Sequence, residues 1–204
     1  MTNNKALFLK WIKNLFYIEC VAFLVYLISQ LPFVGGWLGW IAFIVSGIRV
    51  YCLYNLLPIN ERYKKAFTFS AITLALTLVL KVSDMWLLSI VAMVTGLIEL
   101  YQEFCGHSEV LLTIDSKLSG KWHSLFNWNV FGSIIVAILG APVIIVAAVA
   151  FVLDANIISI LTTIMILGFD IILKVIYLVY LKRTHDVCEK YEHWVDDVAT
   201  GNEI

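Results

Sequence analysis

Six apolar windows, at residues 15–31, 37–57, 67–82, 86–104, 130–153 and 157–181, most tightly constrain how this chain folds. Crossing the hydrocarbon layer of a bilayer as a helix takes about 20 predominantly apolar residues. Only a helix or a closed barrel satisfies its own backbone donors and acceptors where water is absent. The windows therefore predict an all-α membrane protein: a bundle of six transmembrane helices over residues 1–183, followed by a charged tail at 184–204. A soluble domain is excluded by composition, since 61% of the 204 residues are hydrophobic, 14% are charged and the mean hydropathy is +0.90. The N-terminal stretch lacks a small-residue cleavage site and reads as a retained first span.

Positive charge sets the orientation. Lys5, Lys10 and Lys13 precede the first window, and Arg62, Lys64 and Lys65 join the second to the third. Lys117 and Lys121 join the fourth to the fifth, and Lys182, Arg183 and Lys190 follow the sixth. The opposite side carries only Lys81, so both termini are expected in the cytoplasm and the protein in the plasma (inner) membrane. Trp11, Trp37, Trp40, Trp86, Trp122 and Trp128 fall near window ends, where indole prefers the headgroup boundary.

Ionisable residues within the windows are the candidate functional groups, because a charge in hydrocarbon is paired, buried or functional. At about 1.5 Å of rise per residue, Arg49 lies roughly 13 Å, Glu99 roughly 8 Å, Lys174 about 12 Å and Asp170 about 18 Å from the inner ends of their spans. Glu19 lies just below the inner surface. Together they form a polar cluster in the cytoplasmic half, with Tyr51, Tyr101 and Tyr177 supplying hydroxyls. Arg49 with Glu99, and Asp170 with Lys174 at i, i+4, are the expected pairs. As packing glue they hold helices together; as a path they carry a substrate or ion.

The segments around Gly47, Gly96 and Gly168 each place a glycine before an ionisable residue and then tyrosines, which suggests three repeated helical hairpins with close helix approach at the glycines. Ser133, Ala137 and Ala141 form a small-residue stripe beside Pro142 in the fifth window, suited to packing against another helix or subunit. Glu99, Glu103 and His107 recur every four residues, so Glu103 and His107 are candidate metal ligands if the helix continues through Gly106, a residue that often stops one. His185, Glu189 and His193 repeat that spacing in what reads as an amphipathic tail.

Residues 109–128 carry Leu111, Ile114, Leu118, Trp122 and Leu125 at spacings of three and four, as in an interfacial helix, with Ser119 and Gly120 expected to bend it. The four cysteines form no metal knuckle or Cys-x-x-Cys pair, and read as reduced thiols. No arrangement assigns a nucleophile to a base, and no cofactor or nucleic-acid motif occurs. Two functions fit. One is a small transporter or channel-like protein, or a membrane component of a transport system, with a cytosol-facing polar cluster. The other is a non-catalytic scaffold, assembly or regulatory subunit that binds a partner through its inner connection and tail. The expected partners are the lipid bilayer and a second copy or another membrane protein.

Overall fold

Apolar windows supply the length of the long helices, and polar side chains cap two of the helix starts. The computed structural model describes residues 3–31, 37–83, 85–132, 155–192 and 194, and every element among them is helical. These are α1 (Asn3–Ser29), α2 (Trp37–Leu56), α3 (Glu61–Leu80), α4 (Trp86–Leu111), α5 (Ser116–Asn127), a π-helical turn (Trp128–Gly132) and α6 (Ala155–Lys190). Five of them, α1 to α4 and α6, are long and apolar enough to cross a membrane. The 130–153 window lies outside the described residues from Ser133 onward, and with it Ala137, Ala141 and Pro142; so do His193 and residues 195–204.

Capping accompanies several of the boundaries that depart from the windows. Helix α3 begins at Glu61, ahead of its window at 67, because the Asn60 side chain accepts from the Tyr63 backbone N–H at 3.0 Å. The acidic Glu61 in the first turn suits the positive end of the helix dipole. The Asp115 side chain caps α5 in the same way, accepting from Leu118 N–H at 2.9 Å. Helix α6 continues past residue 181 to Lys190, where the Lys5 ammonium donates to the carbonyls of Glu189, at 3.1 Å, and Tyr191. The start of α1 and the end of α6 are thereby tied together.

Gly106 does not stop α4, which corrects the sequence reading. The Asn60 amide donates to its carbonyl at 3.3 Å, and a Cβ on Gly106 would lie 3.0 Å from the Tyr63 ring. The Tyr63 ring of α3 packs against α4 at this glycine, and the helix runs on unbroken to Leu111. Nor do Ser119 and Gly120 interrupt α5, which is continuous from Ser116 to Asn127; the break in the 109–128 segment falls at residues 112–115, and the buried Ser119 hydroxyl lies 2.7 Å from that of Ser108.

Neighbouring helices pack in sequence: α1 on α2, α2 on α3 and α3 on α4, with α6 returning against α1 and α5 lying between α4 and α6. The core gathers at one end of the bundle, around Phe8, Ile12, Leu53, Tyr63, Phe104 and Trp122. That end, the basic end, also carries most of the lysines and arginines of α1, α3, α5 and α6. Farther along, the helices expose Leu24, Ile44, Trp86, Ile90, Met93 and Ile164, as hydrocarbon-facing surfaces do. Among the described residues, nothing lies within 4 Å of a Cβ built on Gly47 or Gly168, and Gly96 meets only Thr73 at 3.9 Å. Close approach occurs instead at Gly106, and at Gly132 against the Phe169 ring.

Candidate functional site

Arg49 stands at the centre of an ion network that joins four helices. Its Nε donates to Glu19 Oε1 on α1 at 2.6 Å, Nη1 to Glu99 and Nη2 to Glu103, both on α4. Nη1 also reaches Ser70 Oγ on α3 at 3.4 Å, and that hydroxyl donates to Glu99 at 2.9 Å. The second oxygen of Glu19 accepts from Lys174 Nζ on α6 at 2.7 Å. The planar guanidinium carries its donors in a fixed fork, so one arginine can hold three carboxylates only if they approach from different directions. Glu99 and Glu103, one turn apart on α4, and Glu19 across the bundle supply those directions. Glu19, Glu99 and Glu103 are 1%, 6% and 0% exposed, so all three carboxylates depend on this network rather than on water.

Three buried carboxylates thus face two cations, Arg49 and Lys174, which leaves one negative charge in excess when His107 is neutral. His107 is fully buried one turn beyond Glu103, its Nε2 3.5 Å from Glu103 Oε1 and its Nδ1 2.7 Å from the Tyr63 hydroxyl. The Tyr177 hydroxyl donates to Glu103 from the other side at 2.5 Å. A hydrogen-bonded or nearly bonded line of titratable groups therefore runs Tyr63, His107, Glu103, Tyr177. Its end nearest the basic end is closed by Trp122, whose ring centroid lies 4.5 Å from that of His107, and by Phe104. The Trp122 indole N–H donates to Thr184 Oγ1 at 3.1 Å. Trp122 is fully buried, so it is a core plug rather than the headgroup anchor its position suggested.

On the other side of the network lies a cavity of about 410 Å³, with Glu19, Arg49, Tyr177, Lys174, Tyr26 and Asp170 on its walls. Helix α1 leaves the basic end and α6 returns to it, so Tyr26 and Asp170 lie farther from that end than Glu19 and Lys174. The cavity extends from the network in that direction.

No protein-family model matches this chain, and no curated protein or solved structure is significantly similar to it.

The residues singled out from sequence divide clearly. Glu19, Arg49, Glu99, Lys174 and Tyr177 meet in one network, joined by Glu103 and His107. Lys174 pairs with Glu19 rather than with Asp170, whose carboxylate accepts from the Tyr26 hydroxyl at 3.4 Å. Tyr51 and Tyr101 are exposed, against Trp11 and Phe126 respectively, and take no part. Glu103 Oε1 and His107 Nε2 lie 3.5 Å apart, while Glu99 reaches them only through Arg49. Arg49 lies between the two glutamates, and the compact His/Asp/Glu group among the described residues is His185, Asp186 and Glu189 on the surface of α6. Sequence reasoning missed Ser70 and Tyr63. The signal for both was their place on α3, whose small and polar residues face α4.

Proposed function

We propose that the chain is a small transport protein of the plasma membrane with six transmembrane spans, both termini cytoplasmic, and a proton as its coupling ion. The observation that carries this reading is the excess carboxylate buried beside a cavity. An uncompensated buried charge is costly, so the network favours taking up one proton or one cation. The chain of Tyr63, His107, Glu103 and Tyr177 supplies groups that pass a proton along. By the positive-inside rule the basic end is cytoplasmic. The network then lies in the cytoplasmic half, with the cavity reaching toward the membrane centre and α5, an interfacial helix, covering the inner side. The sixth span is the window at 130–153, and three helical hairpins in tandem remain the repeat pattern that fits.

Purified protein in liposomes loaded with a pH-sensitive dye tests this. A potassium diffusion potential set with valinomycin should drive proton entry above that of protein-free vesicles, and Glu103→Gln should abolish the excess while the variant still unfolds cooperatively. Proton entry equal to that of empty vesicles, or unchanged in Glu103→Gln, overturns the reading.

A second reading rests on a different observation: every nitrogen of Arg49 is engaged with protein oxygens. A guanidinium so committed acts as a staple between α1, α2 and α4, as expected of a scaffold or regulatory subunit that binds a membrane partner or a second copy.

A further inference from the structure

The cavity beside the network has a size, a charge and a wall chemistry that together specify a ligand class. Its volume of about 410 Å³ falls in the range of small-molecule pockets, about 300–1,000 Å³. Leu100, Phe104 and Leu173 give it apolar walls, and Tyr26 and Tyr177 give it phenol rings. Its cations are already committed, Lys174 to Glu19 and Arg49 to Glu19, Glu99 and Glu103. Asp170 is different: among the described residues it has no cationic partner, and its contact is the Tyr26 hydroxyl at 3.4 Å.

The uncommitted charge facing the cavity is therefore negative. An anion would meet Asp170 with no free cation to offset it. A hard metal ion would need six or more oxygen ligands, yet both oxygens of Glu19 are occupied and Asp170 offers one carboxylate. An organic ammonium needs a single counter-charge and aromatic faces. The Tyr177 ring already takes a cation on its face, with Lys174 Nζ 5.2 Å from its centroid.

We infer that this cavity binds a small organic cation, with Asp170 as its counter-ion and Tyr26 and Tyr177 as its aromatic walls. The inference names a cargo class for the transport reading and rests on that reading for its biological meaning, although binding is measured apart from flux. A cation seated at Asp170 adds positive charge next to the network, so it competes with the proton for the same excess of carboxylate.

Equilibrium dialysis of the full chain in detergent against radiolabelled tetraphenylphosphonium tests it. Saturable one-site binding is expected, weakened about tenfold or more by Asp170→Asn, as the loss of one close opposite charge implies, and retained by Asp170→Glu. Radiolabelled tetraphenylborate, of the same shape and opposite charge, dialysed separately, should show no saturable binding. Asp170 is exposed, so Asp170→Asn should unfold at the temperature of the parent chain. Binding no greater than that of empty micelles, binding unchanged in Asp170→Asn, or equal saturable binding of tetraphenylborate overturns the inference. Binding without proton flux supports the cation site and removes the transport reading; proton flux without binding does the reverse.

Discussion

Arg49 concentrates at one residue the energetic question that the whole site poses. Removing one partner of a buried ion network costs about 3–5 kcal/mol because the remaining charge is left unpaired, while removing both partners together can be nearly neutral. Arg49→Met, which leaves three carboxylates without their common donor, should lower stability by about that much in thermal unfolding in detergent. Adding Glu99→Gln and Glu103→Gln should recover much of the loss if the network is a staple. No recovery would mean that the arginine is held for something other than packing. Gly106 makes a second prediction at this scale. A methyl there meets the Tyr63 ring at 3.0–3.2 Å, and that ring is fully buried with its hydroxyl held by His107, so it has no room to yield. Gly106→Ala should cost about 1–3 kcal/mol, as overpacking does. An unchanged unfolding temperature would show that α3 and α4 separate easily.

At the scale of elements, α5 is the part whose role depends most on a single side chain. Of its other buried residues, Leu118 and Leu125 are apolar contacts and Ser119 bonds Ser108, while Trp122 touches His107, Phe104, Tyr177 and Tyr180. Trp122→Ala should destabilise the protein by about 3–5 kcal/mol. It should also raise amide exchange over residues 116–127 before the rest of the bundle is affected. Exchange that rises equally everywhere would show that α5 is not a separable cover. The cap of α5 gives a smaller effect: Asp115→Ala should cost about 1 kcal/mol, read as the same local increase in exchange with little change in global unfolding. The helix itself was legible from the spacing of Leu118, Trp122 and Leu125. Whether Trp122 faced lipid headgroups or the core was not, because an amphipathic period describes a face and leaves open what covers it.

Across the whole molecule, the bundle is closed by contacts between residues far apart in sequence. Lys5 reaches Glu189 and Tyr191, and Phe8 stacks near Trp194 with ring centroids 5.5 Å apart. These contacts put the start of α1 and the end of α6 at one end of the bundle, so on the proposed six-span topology reporter fusions at residue 1 and at residue 204 should give the same cytoplasmic signal; opposite signals would refute that topology. The apolar windows, their helical character and the placement of basic residues in alternate connections could all be read from sequence, because helix length in hydrocarbon and charge placement are local properties. The chain's order of residues also determined that Glu99, Glu103 and His107 share a face, since that follows from 3.6 residues per turn. Only the tertiary structure decided that Arg49 lies among Glu19, Glu99 and Glu103, that Lys174 turns to Glu19 instead of Asp170, and that Asp170 is left facing a cavity. Those outcomes depend on the rotation of each helix about its axis and on which helices are neighbours, quantities set by packing between distant segments and absent from any single segment's period.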